Sequence, residues 1–546
     1  MSDVSIRAPL LQPNTPPPPH YYAANVARLL RTVDAQYSDL LSEPERDYIR
    51  RVLALPTDAQ RLYARLLTRK GPLIRIDSLE YREVSCRDSA IAAIVGAGLL
   101  RLNPVVPADR LLALLTCDEL AALFPHAGCR GRRKERRVAA IAARYHEPIA
   151  HARVVARYPM CEPLGVDVLA TMQILFFGDA RTELRTFVLE DLGMLRFEQY
   201  ALDPRHRPFV DRDELDDFLL LRAARAELQN LAARWCRDRA TALLDALWNA
   251  RARRFLERVR SGIVNELGRA AERACDFDVA LSAYARSTRA PGRERVARLS
   301  RRLGDVERTA AVLDAIDRAP ISAGERFFGE HFRSGARRPL RRIPEVVLQL
   351  PKAPDERVEH AALAALTAGG GCGRHLENRM PLGMLGLALW DVVFAPIEAA
   401  FVHPYQDRPA DLYWDDFRRA RAPLLAERFA AFAMPGAFAR AVTATALTKR
   451  GTTNALVDWH AFDSAWLDAA LAAIPAATWV AMFDYMLDDL EQSRTGFPDL
   501  TLFGATQPYR FVEVKGPGDQ LRREQRLWFA FFAKHDIAAN VLRVEW

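Results

Sequence analysis

The period of the hydrophobic pattern changes near residue 490, and this limits what the chain can fold into. Ahead of that point apolar residues recur at helix spacing, as in Leu29, Leu30 and Val33, then Tyr48, Val52 and Leu53. Beyond it the pattern reads strand, strand, helix, strand. Pro498-Asp499-Leu-Thr-Leu-Phe and Tyr509-Arg-Phe-Val-Glu513-Val-Lys515-Gly516 are β-rich runs joined by Gly504-Ala-Thr-Gln-Pro508, a hairpin signal. Gly516-Pro517-Gly518-Asp519 then turns into a helix carrying Gln525 and an apolar stripe of Trp528, Phe529 and Phe532. A chain of 546 residues, 50% hydrophobic, is too long for one core. A multidomain, mostly α protein that ends in a small α/β domain is expected.

Punctuation in the sequence divides the rest. Residues 1–20 end in the run Pro16 to Pro19 and read as a disordered or polyproline arm. Residues 21–105 read as a helical unit with a winged element from Ile74 to Leu102. Residues 106–145 read as a helix–loop–helix around Pro125-His-Ala-Gly-Cys-Arg-Gly, and residues 146–366 as irregular helical repeats with a possible strand at Phe187-Val-Leu. Ala270 to Arg286 looks like one tetratricopeptide-type helix pair, without the sustained period such arrays show. The terminal domain is placed at 367–546, with a flexible loop at Thr367-Ala-Gly-Gly-Gly-Cys-Gly-Arg.

Lys and Arg number 77 against 69 Asp and Glu, a net +8, which suits an anionic partner. Lys stands at only six positions, so Lys515 inside the hairpin is less readily an accident of composition. Arg132, Arg133, Lys134, Arg136 and Arg137 open the second helix of the helix–loop–helix. They suit contact with a phosphate backbone; a solvated helix face is the other reading. Arg251, Arg253, Arg254 and Arg258, and Arg337, Arg338, Arg341 and Arg342, could line a nucleic-acid path; each cluster alone reads as a solvated face. The seven cysteines include no CxxC pair, so a cysteine zinc site is not expected and reduced thiols are. The N-terminal arm lacks an apolar core of signal-peptide length, and no uncharged apolar run is long enough to span a membrane. Cytoplasmic localisation is expected.

Strand alternation puts Glu513 and Lys515 on one face and Val512 and Val514 on the other. Asp499 opens the partner strand and reaches the same rim. Two facing carboxylates repel unless a cation lies between them, and hard oxygen ligands select Mg²⁺ or Mn²⁺. Such an ion activates water and stabilises charge on a phosphate. Lys515 could orient that water or balance the phosphoryl charge. The set points to phosphodiester hydrolysis; a surface hairpin with ordinary charges is the plain alternative for this spacing alone.

The pattern PD…EVKGPGD…Q…W resembles the VRR-NUC branch of the PD-(D/E)XK nuclease superfamily. Glu377-Asn-Arg-Met-Pro-Leu-Gly-Met-Leu-Gly-Leu-Ala-Leu-Trp-Asp, Leu62-Tyr-Ala-Arg-Leu-Leu-Thr-Arg-Lys-Gly, Leu79-Glu-Tyr, Asp191-Leu-Gly-Met-Leu and Asp211-Arg-Asp-Glu-Leu are similar to stretches of the Fanconi-associated nuclease family. The resemblance runs from about residue 50 and looks like a bacterial member, with no N-terminal zinc finger. It implies an SAP-like module at 106–145, a TPR-like region and a VRR-NUC nuclease core. It makes Asp499 and Glu513 metal ligands, joined by Glu377 and the Val514 carbonyl, with Mg²⁺ or Mn²⁺ as cofactor. Lys515 becomes the catalytic lysine, Gln525 the supporting helix glutamine and Asp519 the acidic turn residue. Animal members carry a basic residue before that glutamine, where this chain has Glu524, which puts an animal-type 5′-phosphate pocket in doubt. The implied function is a structure-specific endonuclease acting on 5′-flap and branched double-stranded DNA. A 5′→3′ exonuclease activity and a role in DNA repair, including interstrand crosslinks, at the nucleoid, are also implied. The rivals are a catalytically inactive branched-DNA-binding scaffold and a protein-interaction scaffold built on the repeats.

Overall fold

The structure, a computed structural model, describes residues 21–69, 71–127, 133–178, 195–247, 253–334, 343–351, 357–504 and 507–546. The proline-rich arm, Arg132, the Phe187 run, Asp191 to Met194, Arg251, Arg337, Arg338, Arg341 and Arg342 lie outside these residues. The chain divides into two compact units, Met1–Leu195 and Arg196–Trp546. Among the described residues no single helix is long and apolar enough to cross a membrane.

In the first unit the helices Tyr21–Tyr37, Glu43–Leu53, Thr57–Leu67 and Arg87–Gly96 bury Leu29, Leu30, Val33, Ile49, Leu62 and Ile94. Ser42 and Glu45 form a capping box at the second helix, which satisfies amides left open by the first turn. The short strands β1 (Ile74–Arg75), β2 (Leu100–Leu102) and β3 (Met160–Pro163) make a sheet in the order β1-β3-β2. Its central strand therefore comes from beyond residues 103–159. That insert holds helices Ala108–Leu112, Cys117–Leu123, Lys134–Arg144 and Glu147–Arg157 around a core of its own that includes Leu111, Leu115, Phe124 and Val154. Gly165 follows β3 at φ +79°, and a Cβ there would lie 2.3 Å from the Tyr48 ring, so this close approach requires glycine.

The second unit opens with helices Arg212–Ala233, Arg237–Leu247, Arg254–Arg273, Phe277–Ala285, Gly292–Arg302, Val306–Arg318 and Ala323–Ser334. Small residues let them approach closely: a Cβ on Gly268 would sit 2.6 Å from the Tyr284 ring of the next helix. The arginines read from sequence as a nucleic-acid path are instead structural where described. Arg253 pairs with Glu214 at 2.8 Å and Glu398 at 2.6 Å, and Arg254 with Asp411 at 2.9 Å and Asp416 at 2.6 Å. Arg258 lies over the Trp414 ring, 4.8 Å from its centroid. Their acidic and aromatic partners are far along the chain, so no local pattern announces them.

A mixed five-stranded sheet follows, with β4 (Glu345–Gln349), β5 (Cys372–His375), β6 (Leu500–Phe503), β7 (Tyr509–Lys515) and β8 (Ala539–Glu545) in the order β4-β8-β7-β6-β5. β5, β6 and β7 pair antiparallel, while β8 runs parallel to both β7 and β4. The parallel step from β7 to β8 needs a crossover, which helix Arg523–Lys534 supplies. β5 corrects the expectation of a flexible loop at 367–374: Cys372 to His375 pair with Phe503 to Leu500. Val512 and Val514 pack with Leu500, Leu502 and Leu542 on one face of the sheet. Phe511 faces the other side, in the core built by the helices inserted between β5 and β6.

Candidate active site

The hairpin β6–β7 brings Asp499, which precedes β6, beside Glu513 and Lys515 on β7. Paired registers Leu500↔Val512 and Thr501↔Phe511 set the alignment. The Asp499 carboxylate accepts the Val514 amide at 2.8 Å, which fixes its rotamer against the central strand. The Asp499 carbonyl accepts the amides of Leu376 and Glu377, both at 3.1 Å. That clamp carries Glu377 to the same rim. Glu377 stands at φ +49°, a conformation that is costly for a residue with a Cβ and recurs at functional sites.

Glu513 is only 1% exposed and Lys515 9%. The Lys515 ammonium lies 2.8 Å from Glu513 Oε1, and Gln525 Nε2 donates to the same oxygen. Gln525 also accepts the Arg522 amide at 2.9 Å, so one side chain caps the helix and orients a carboxylate. The helix is held at that spacing by aromatic packing: Phe497 lies 4.8 Å from Phe511 and 5.0 Å from Trp528. Each such pair contributes roughly 0.5–1.5 kcal/mol beyond its buried area. Gly496 is pressed against the backbone of Glu524 and Gln525, where a Cβ would meet atoms at 2.7 Å. Asp519 accepts the Gly516 amide at 3.1 Å and so closes the turn out of β7.

The charges do not balance. Among the described residues, Asp499, Glu513 and Glu377 face one ammonium, that of Lys515. Burial lifts Glu513 from 4.5 to about 7, with the charge of Asp499 adding to it and Lys515 opposing. Burial likewise lifts Asp499 from 3.8 to about 6, with the Val514 amide and Lys515 opposing and Glu377 and Glu359 adding. The other oxygen of Glu513, Oε2, is buried with no hydrogen-bond partner. A surplus of negative charge, with one carboxylate buried and one of its oxygens orphaned, fits a divalent cation. A ring nitrogen of His375 and one oxygen each of Glu377 and Asp499 lie within 4.8 Å of one another, a separation a single ion can bridge. His375 was not read from the sequence, because the Gly-rich run around it hides the strand that aims it.

The other site candidates sit apart from this cluster in character. Arg133 is the N-terminal cap of helix Lys134–Arg144, Arg133 and Arg136 are exposed, and Lys134 is half-buried. Arg137 is half-buried and donates to the Cys117 carbonyl at 2.9 Å, tying two helices of the insert together. Glu524 is half-buried at the first turn of its helix. Arg523 donates to the Gly324 carbonyl at 3.3 Å and lies over Phe327.

Comparison with known proteins places this geometry. Residues 435–546 match the VRR-NUC domain, a metal-dependent nuclease fold, and residues 20–101 match the FAN1, HTH domain. The Fanconi-associated nuclease 1 homolog of Pseudomonas aeruginosa is 30% identical over 97% of this chain and 96% of its own. The crystal structure of paFAN1 bound to DNA with a 2-nt 5′ flap and a gap superposes with a TM-score of 0.83 at 29% identity, covering 97% of this chain and 99% of that one. The complex with a 1-nt 5′ flap superposes with a TM-score of 0.80 at 29% identity over the same shares. A likeness that runs through nearly the whole of both chains, and includes the domain that holds the surplus carboxylates, means that the chain belongs to the Fanconi-associated nuclease family and is a DNA nuclease.

Proposed function

We propose that this chain is a structure-specific endonuclease that cuts the DNA backbone at 5′ flaps and branch points, degrades DNA 5′→3′, and serves DNA repair, including that of interstrand crosslinks. The observation that carries the reading is the pair of buried Glu513 and half-buried Asp499, ionised at neutral pH only at a cost and served, among the described residues, by a single lysine. The paFAN1 complexes with 5′-flap DNA support the choice of substrate.

In this reading Asp499, Glu513, Glu377 and the Val514 carbonyl hold Mg²⁺ or Mn²⁺. The bound ion supplies Lewis-acid polarisation of a phosphate oxygen and eases deprotonation of water. Lys515 is the residue that can donate to the phosphate as its charge grows, and an ammonium fixed beforehand needs no reorganisation when the charge develops. Gln525 holds Glu513 in its rotamer, and the Val514 amide does the same for Asp499. Arg133, Lys134 and Arg136 contact phosphates of the duplex arms without reading sequence.

The test is cleavage of end-labelled 5′-flap DNA with Mg²⁺ or Mn²⁺, with the wild type beside Asp499→Ala. The wild type is expected to cut near the junction and to release nucleotides from a 5′ end, while the variant binds without cutting. Binding by both proteins with cleavage by neither would favour an inactive branched-DNA-binding scaffold.

A further inference from the structure

The acidic cluster has a nitrogen in it. His375 ends β5, and its Nε2 lies 3.0 Å from a Glu377 carboxylate oxygen. The two atoms are close but not aligned: this nitrogen is buried and makes no hydrogen bond. Glu377 is within ion-pair distance of the imidazole, and among the described residues no hydrogen bond satisfies that nitrogen. Its ring is set in place from two sides. β5 pairs antiparallel with β6, with His375 opposite Leu500, the neighbour of Asp499. The His360 ring packs edge-on against it with centroids 5.8 Å apart. The left-handed turn at Glu377 then returns that carboxylate toward the imidazole. With Asp499, the three ligand atoms fall within 4.8 Å of one another. The orphaned Glu513 Oε2 marks the same neighbourhood as short of a cation, a buried carboxylate oxygen with no donor beside a cluster of further carboxylates.

We infer that His375 is a metal-contacting residue of this nuclease, adding an imidazole nitrogen to the carboxylate set, and that it biases the site toward Mn²⁺ over Mg²⁺. The inference rests on the reading of Asp499 and Glu513 as a divalent-cation site and sharpens it. Mg²⁺ favours a shell of oxygens and keeps its waters, whereas imidazole suits the transition ions. A neutral nitrogen also completes a coordination shell without adding to the surplus negative charge of three carboxylates. Replacing it with an amide oxygen should weaken Mn²⁺ more than Mg²⁺ and narrow the difference between the two.

The experiment is binding of Mn²⁺ alone to the full-length protein, followed by pulsed electron paramagnetic resonance, with Mg²⁺ competition to give the ratio of affinities. Wild type, His375→Gln and Asp499→Ala are compared, and circular dichroism checks each fold. The expected result is one Mn²⁺ with a directly bound imidazole ¹⁴N coupling. The coupling disappears in His375→Gln, and the Mn²⁺-over-Mg²⁺ preference falls on the order of 10-fold. An Asp499-dependent Mn²⁺ without nitrogen coupling in the wild type overturns the inference and leaves the metal site standing; this arm needs no variant of His375. Coupling that survives in His375→Gln overturns it as well. Mn²⁺ binding that is absent, or indifferent to Asp499→Ala, removes the metal site itself and the role of His375 with it.

Discussion

Two groups of buried charge in the C-terminal unit make an informative pair. In one, Arg421 and Asp411 are both fully buried and joined by two hydrogen bonds of 2.7 and 3.0 Å, while Arg254 adds contacts to Asp411 and Asp416. The guanidinium groups of Arg421, Arg254 and Arg419 meet the two carboxylates. Burial disfavours the Asp416 charge, but hydrogen bonds and attraction from Arg254 outweigh it and hold this carboxyl below the ordinary range. In the other, among the described residues, Asp499, Glu513 and Glu377 meet one lysine, Lys515, and the carboxyls of buried Glu513 and half-buried Asp499 are pushed up. The first group is closed: every charge has its counter-charge inside the fold. The second is open, and its missing counter-charge suits a cation where the first makes a clamp. Buried charge alone therefore does not mark function; buried charge that the fold leaves unneutralised does.

The contrast can be broken first at the closed cluster. Arg421→Met removes the two-point partner of a fully buried carboxylate, leaving it Arg254, and removes the donor to the Val392 carbonyl. The expected loss is ~3–5 kcal/mol of stability, read as a lowered denaturation midpoint. Lys515→Met tests the open cluster in the opposite way. It should reduce cleavage turnover ~10²–10³-fold while flap binding and the unfolding midpoint change little. A large fall in stability instead would make Lys515 a structural partner of Glu513.

Gln525→Leu sharpens the comparison by freeing Glu513 without removing it. Turnover should drop roughly 10–100-fold, with weaker metal binding, as when a group orienting a ligand is lost. Asp499→Asn should stabilise the metal-free protein at pH 8 by ~1–2 kcal/mol and change little near pH 4. Asp499 and Glu513 are raised above their unfolded values, so the folded state holds their protons more tightly. The stability this confers is present in acid and is lost as pH rises from about 4 through about 7. Chemical denaturation of both proteins across that window checks the sign; a variant less stable at pH 8 than the wild type would show the carboxylates to be neutralised after all. The smallest effect belongs to the exposed basic helix of the N-terminal unit. Arg136→Ala should lower the slope of log affinity against log salt by about 1 and leave turnover of bound DNA unaltered.

The parts of the site that were legible in the sequence are those that local rules connect. Glu513 and Lys515 share a face because strand side chains alternate, and Asp499 faces them because a hairpin returns the chain. Gln525 was legible from the helix that follows a glycine turn. Glu377 was recognised by resemblance alone, for its place depends on amides that reach the Asp499 carbonyl from far along the chain. His375 was missed and the segment around it read as a loop, since a strand that begins Cys-Gly lacks a β signature and exists only because β6 pairs with it. Arg253 and Arg254 were misread for the complementary reason: their partners Glu214, Glu398, Asp411 and Asp416 are distant in sequence, and an arginine cluster without visible partners looks solvated.

By itself the sequence determined the periods that make helices of most of the chain and a strand–strand–helix–strand unit of its end. It also determined the turns that join them and the chemical identity of the groups in the motif. Those follow from backbone sterics and from side-chain spacing of a few residues. Only the tertiary structure decided that β5 and β4 complete the sheet, that the Arg254 and Arg421 charges are consumed inside the fold, and that the carboxylates around Asp499 are not. The reason is electrostatic. Whether a buried charge is neutralised depends on distances of a few ångströms and on removal from water, and both are set by residues that chain connectivity leaves far apart.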